Sequence, residues 1–139
     1  MQRIIVAVDG SDASARALDM AADLAKFYGA KVTAVNVVIP LVVPPDIAYQ
    51  TGELEAANRR HGQKVAREAA ETLAAKGLQA EGQSYLGSPA DVIVQAADEA
   101  DVGLVIVGSR GNGPVKRVLL GSVSDRIVHL CKKPVLVVH

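Results

Sequence analysis

The chain has 139 residues, half of them hydrophobic but only 3% aromatic, so its core must be built from Val, Ile, Leu and Ala. Fifteen basic residues balance fifteen acidic ones, which argues against nucleic acid or an anionic membrane as the main partner, because both select a basic footprint. Cys131 is the lone cysteine; it cannot form an internal disulfide or a thiolate cluster, and a reducing cytoplasm is the expected setting.

The length fits one domain over residues 1–139. Met1 leads into Ile4–Val8 (IIVAV), too short for a signal sequence or a membrane span. Its β-branched run suits a strand covered on both faces. Ser11–Tyr28 has helical spacing, with Leu18, Ala22 and Ala25 on one face and Gly29 as a stop. Val32–Ile39 is a second strand, and Pro40, Pro44 and Pro45 break the segment after it. A second helix is predicted from near Glu53 to Lys76, closed by Gly77; Gly62 inside it disfavours helix locally. Leu78–Leu86 reads as a third, more polar strand. Ser88 is placed to cap a third helix reaching about Ala100, with Pro89 in its first position and Asp91 near its positive end. Val102–Val107 is a fourth strand. Val123, Ile127 and Leu130 mark one face of a last helix, and Val135–Val138 is a fifth strand after Pro134.

This alternation of five strands with four helices predicts an α/β sandwich, a parallel sheet with helices on both faces. Ligands of such sheets bind beyond the C-terminal strand ends. There lies GSRGNGPVKRVLLGS, residues 108–122. Main-chain N–H groups hold phosphate only where the chain approaches closely, which glycine permits. Gly108 and Gly111 suit the wall of a phosphate cradle; Gly121-Ser122, ahead of the last helix, offers free amides, a dipole and a hydroxyl. Gly108 to Gly113 has GxxxxG spacing, but Pro114-Val115 follows where a Walker A loop needs Lys and Ser or Thr. The GxGxxG begun at Gly111 fails at Lys116.

Gly108-x2-Gly111-x9-Gly121-Ser122 fits the pattern G-x2-G-x9-G-[ST]. Together with IIVAVDGSDAS at the start and VGSRGNGPVKRVLLGSVSDRIVHLCKKPVLVV at the end, it makes the whole chain resemble the ATP-binding branch of the universal stress protein family. The resemblance implies a Rossmann-like sheet of order 3-2-1-4-5, of the adenine nucleotide alpha hydrolase-like kind, with an ATP site at its C-terminal edge. It implies Asp9 on the nucleoside, and the backbone of Val37, with its neighbour Asn36, facing adenine. Gly108 would lie by the ribose, and Gly111, Gly121, Ser122 and Val123 around the phosphates. Ala7 and Val107, at the tips of their strands, belong to the same expected set. The implied cofactor is ATP, with ADP or AMP as alternatives, carried with Mg2+.

Several residues keep two readings. In the order above, Asp9 and Gly108 end on one crevice, where an acid accepts from ribose hydroxyls or helps to hold Mg2+; Asp9-Gly10-Ser11 reads equally as a turn with a helix cap. Arg110 neutralises phosphate charge or is simply solvated. Ser124 reaches phosphate from the first helical turn or bonds locally, and Tyr49 covers a base or anchors its own loop. His61, His129 and His139 lack ligand spacing, so no metal site is expected, and Cys131 reads as a small hydrophobe.

Fast phosphoryl transfer needs a phosphate lysine, a metal-bound Ser or Thr with an acid, and a positioned nucleophile. The loop lacks the motif lysine and no paired carboxylates stand out, so no catalytic residue is assigned. The resemblance implies a stress-response regulator whose nucleotide occupancy alters conformation or partner binding. The alternative is a slow ATPase or autophosphorylating enzyme with Ser122 or Ser124 as acceptor. A phosphoacceptor receiver domain is rejected, because Lys133 precedes the last strand instead of ending it. In the order 3-2-1-4-5 the last strand is an apolar sheet edge that invites pairing. A homodimer through Val135–Val138 is therefore expected, alongside an unidentified protein partner.

Overall fold

Strands and helices alternate from end to end in a computed structural model that describes residues 1–47, 50–110 and 121–139. They are β1 (Arg3–Ala7), α1 (Asp12–Tyr28), β2 (Lys31–Val38), α2 (Gly52–Ala75), β3 (Ala80–Leu86), α3 (Pro89–Ala97), β4 (Val102–Gly108), α4 (Ser122–Leu130) and β5 (Val135–Val138). Every pairing is parallel and the order is β3-β2-β1-β4-β5, as expected. None of the described helices is long and apolar enough to cross a membrane.

β1 is apolar at every position after Arg3 because each face has its own core. Ile4 and Val6 pack with Ala17, Ala21 and Ala25 of α1 and Leu73 of α2. Ile5 packs on the opposite face with Ile93 of α3, Val105 and Val107 of β4, and Ile127 of α4. The alanine face of α1 brings that helix close to the sheet. Ser11 caps it, its hydroxyl oxygen accepting from Ser14 N at 3.2 Å, and Gly29 ends it with φ 66°. At the far end of the sheet Arg3 joins Glu99, Asp101 and Glu81, linking β1 to β3 and to the turn before β4.

Gly62 reverses its expected meaning. It is buried where α2 meets the sheet: a Cβ there would lie 2.5 Å from Asn36 Oδ1 and 2.8 Å from Ser84 Oγ. Gly82 of β3 is the reciprocal contact, since a Cβ on it would run into the Ala66 carbonyl. Local propensity disfavours a glycine inside a helix; close packing of α2 on β2 and β3 requires it.

Some boundaries also differ. β3 begins at Ala80, because Leu78 N still bonds to Leu73 O at 3.3 Å in the turn that ends α2. α3 stops at Ala97, where a turn from Glu99 to Val102 takes over. Ser88 has the extended backbone of a cap, but its side chain makes no capping bond.

Candidate functional site

β1 and β4 lie side by side, yet the chain leaves β1 toward the α1 face and β4 toward the α4 face. The divergence opens a crevice at the C-terminal strand ends. A pocket of about 320 Å³ occupies it, within the range of roughly 300–1,000 Å³ usual for small-molecule sites. Its inner wall is apolar: Ala7, Val35, Val37 and Val107 from the strands, with Pro89 and Ile93 from α3. Its mouth is polar: Asp9, Ser11 and Ser14 on one side, Arg110, Ser122 and Ser124 on the other. Gly108 and Val123 also line it. Among the described lining residues Asp9 is the only carboxylate and Arg110 the only cation.

The β1–α1 turn is held by its own hydrogen bonds. Asp9 Oδ1 accepts from Ser11 N at 2.9 Å, and Asp9 N donates to Ser14 Oγ at 3.0 Å. Gly10 turns the chain with φ 83°. Asp9 is thus a turn residue, and it stands at the mouth of the pocket.

Opposite stands the start of α4. Its first helical bond runs from Asp125 N to Gly121 O at 2.9 Å, so the amides of Ser122, Val123 and Ser124 precede the internal ladder. Such an end attracts anions through its donors and its dipole. Two expected donors are nonetheless occupied. Gly121 N donates to Ser109 O at 2.6 Å, so its amide is not free, and a Cβ on Gly121 would lie 3.0 Å from the same oxygen. The buried Ser124 hydroxyl has Ser109 O at 3.1 Å and Gly121 O at 3.0 Å; its single proton is directed into the protein. Ser122 is exposed.

Gly108, which lines the pocket, carries a packing constraint as well. A Cβ on it would come within 2.9 Å of the Ala13 main-chain carbon, so its bareness accommodates α1. Asn36 is turned away from the pocket. Its Nδ2 donates to Val8 O at 3.0 Å, and its Oδ1 accepts from Ser84 Oγ at 3.2 Å. Gly111 and Tyr49 lie outside the described residues. Sequence reasoning missed Val8, Ser11, Ser14, Val35, Ile39, Pro89 and Ile93. The strand period of two, carried from Val37 back to Val35 and on to Ile39, would have found two of them. Pro89 and Ile93 arrive through the packing of α3, which leaves no local signal.

Val37 contributes main chain. Val35 O accepts from Val8 N at 2.9 Å, so Val35 faces β1, and by the strand period Val37 does too. β1 has ended by then, and the chain turns out of the sheet at Gly10. The N–H and C=O of Val37 thus border the pocket, and among the described residues no strand lies opposite them.

No group of three or more His, Cys, Asp or Glu among the described residues could hold a metal ion. Residues 1–139 match the family described as the universal stress protein family. Universal stress protein YxiE of Bacillus subtilis is 39% identical over 144 residues, covering 98% of this chain and 97% of that protein. A universal stress protein solved in complex with cAMP is 31% identical, with a TM-score of 0.70 over 99% of this chain and 96% of that one. The universal stress protein from Archaeoglobus fulgidus in complex with dAMP is 25% identical, with a TM-score of 0.70 over 100% of this chain and 98% of that one.

Proposed function

The chain belongs to the universal stress protein family, and from that premise we propose that it binds an adenine nucleotide in the pocket between β1 and β4, acting as a cytoplasmic regulator in stress responses. One observation carries this reading: an apolar slot, a main-chain donor and acceptor unpaired among the described residues, and a helix N-terminus share a single crevice. The relatives bound to cAMP and dAMP support it.

The base would enter the slot against Val35, Val37 and Val107. Adenine presents a ring-nitrogen acceptor beside an amino donor, the complement of the Val37 N–H and C=O. Asp9 would accept from a ribose hydroxyl in addition to its bond with Ser11 N, since a carboxylate offers about four acceptor positions. The phosphates would meet the amides of Ser122 and Val123 and the charge of Arg110. Because amides read charge more than phosphate number, ATP is proposed with ADP and AMP as alternatives. Mg2+ would be held mainly by the phosphates, with Asp9 the carboxylate within the described lining.

Occupancy is the proposed signal: a nucleotide joining β1, β4 and the start of α4 would order the surface that a partner reads. Turnover is the lesser reading, because the Ser124 hydroxyl is turned inward and only Ser122 remains as an exposed acceptor. Thermal melting with ATP, ADP, AMP, cAMP and pyrophosphate tests the proposal. Adenine nucleotides should raise the melting temperature and pyrophosphate should do so less; equal shifts for all would leave the base slot without a role.

A further inference from the structure

Among the described residues, the main-chain groups of Val37 face the pocket unpaired, because a hydrogen bond that a regular sheet would make is absent. Along β1 and β2, Lys31 N donates to Gln2 O at 2.9 Å, and the ladder ends with Val8 N donating to Val35 O at 2.9 Å. Continued by one step, parallel pairing would send Val37 N–H to Val8 O. Among the described residues Val8 O accepts instead from Asn36 Nδ2, at 3.0 Å. We propose that Asn36 is a positioning residue: by occupying Val8 O from the far face of the sheet, it leaves Val37 N–H to read the base, and so sets the preference for adenine. This rests on the nucleotide reading above.

The amide of Asn36 is fixed in place. The residue is 6% exposed, and Ser84 Oγ donates to its Oδ1 at 3.2 Å. Gly62 of α2 lies so close that one added carbon would come within 2.5 Å of that oxygen. The Val8 carbonyl can only accept, so Nδ2 must face it, and Oδ1 is left to the Ser84 hydroxyl. An apolar residue would fill this space without the desolvation penalty of a buried amide. Because a carbonyl has two lone pairs, Asn36 acts through direction. Without Nδ2 holding Val8 O toward the far face, that oxygen could turn to Val37 N–H and the ladder would close over the donor.

Adenine offers an acceptor at N1 and a donor at its 6-amino group. Hypoxanthine reverses both, with a donor at N1 and an acceptor at position 6. A free Val37 N–H therefore matches AMP and opposes IMP, and a site with fixed polar groups discriminates strongly against such a mismatch.

Amide hydrogen exchange and binding, measured on the full chain, test the assignment. In the free wild type the Val37 amide should exchange faster than the Val35 amide, and AMP should slow it. In Asn36→Leu the same amide should become protected by about tenfold or more, and the AMP-over-IMP preference should fall about tenfold. A merely structural Asn36 predicts the opposite sign, because a destabilised variant exchanges faster. Should Asn36→Leu fail to fold, Ser84→Ala loosens the Asn36 amide and should shift both readouts in the same direction by a smaller amount. A Val37 amide already protected in the free wild type, or variants that keep the preference intact, would overturn the assignment. A wild type that binds neither AMP nor IMP would contradict the nucleotide reading instead, while the exchange comparison still decides what Asn36 does.

Discussion

Gly108 sits between a helix and a pocket, and the helix alone already requires a glycine there. With Ala13 main-chain atoms 2.9 and 3.0 Å from where a Cβ would stand, even alanine must push α1 away from β4. Gly108→Ala should therefore lower the unfolding free energy of the nucleotide-free protein by about 1–3 kcal/mol, as overpacking does. Urea denaturation checks this; unchanged stability with impaired binding would return the residue to the ligand. A glycine at a strand exit reads as a ligand contact in sequence, because its neighbour in α1 belongs to a distant part of the chain. Gly62 and Asn36 were opaque for the same reason. Their roles arise where α2, β2 and β3 converge, and no local pattern reports that meeting. The turn at Asp9 and its place at the pocket mouth were legible, since an acid at the tip of the first strand needs only local geometry and the strand order.

Among the elements, α4 carries the phosphate half of the account. Its first position is Ser122, and the preceding Gly121 has φ −61° and ψ 157°, a conformation open to a residue before proline. Proline is tolerated at the first helical position and removes one N–H. Ser122→Pro should thus leave the melting temperature nearly unchanged while weakening nucleotide binding about tenfold, the scale of one hydrogen bond to a charged group. Ser122→Ala, which keeps the amide, should bind far more tightly than the proline variant; equal affinities would mean that the amide is not a ligand. The helices and strands were legible because their apolar periods and stop residues are strong. Element ends were less so. β3 and α3 were each placed too long, since the turns after Leu73 and before Val102 close through main-chain bonds that side-chain pattern does not encode.

For the whole molecule, the strand order follows from doubly covered apolar strands together with the family resemblance, and it leaves β5 on an edge. Val105 N donates to Pro134 O at 2.9 Å and Ser109 N to Val138 O at 2.8 Å. By the strand period, Val135 and Val137 direct their main-chain groups outward. An apolar edge of this kind favours pairing, and the proposed homodimer would join two copies of β5. Val137→Pro removes an outward N–H while sparing the ladder to β4. Light scattering at micromolar concentration should give twice the chain mass for the wild type and one chain mass for the variant; a monomeric wild type would exclude this interface. Everything functional, however, rests on the crevice between β1 and β4. Calorimetric titration of magnesium-loaded ATP, and of AMP, into the wild-type chain addresses it most directly. Saturable heat at one site per chain is expected, weakened about tenfold in Ser122→Pro. Neither heat nor thermal stabilisation with ATP, ADP or AMP would contradict the nucleotide site.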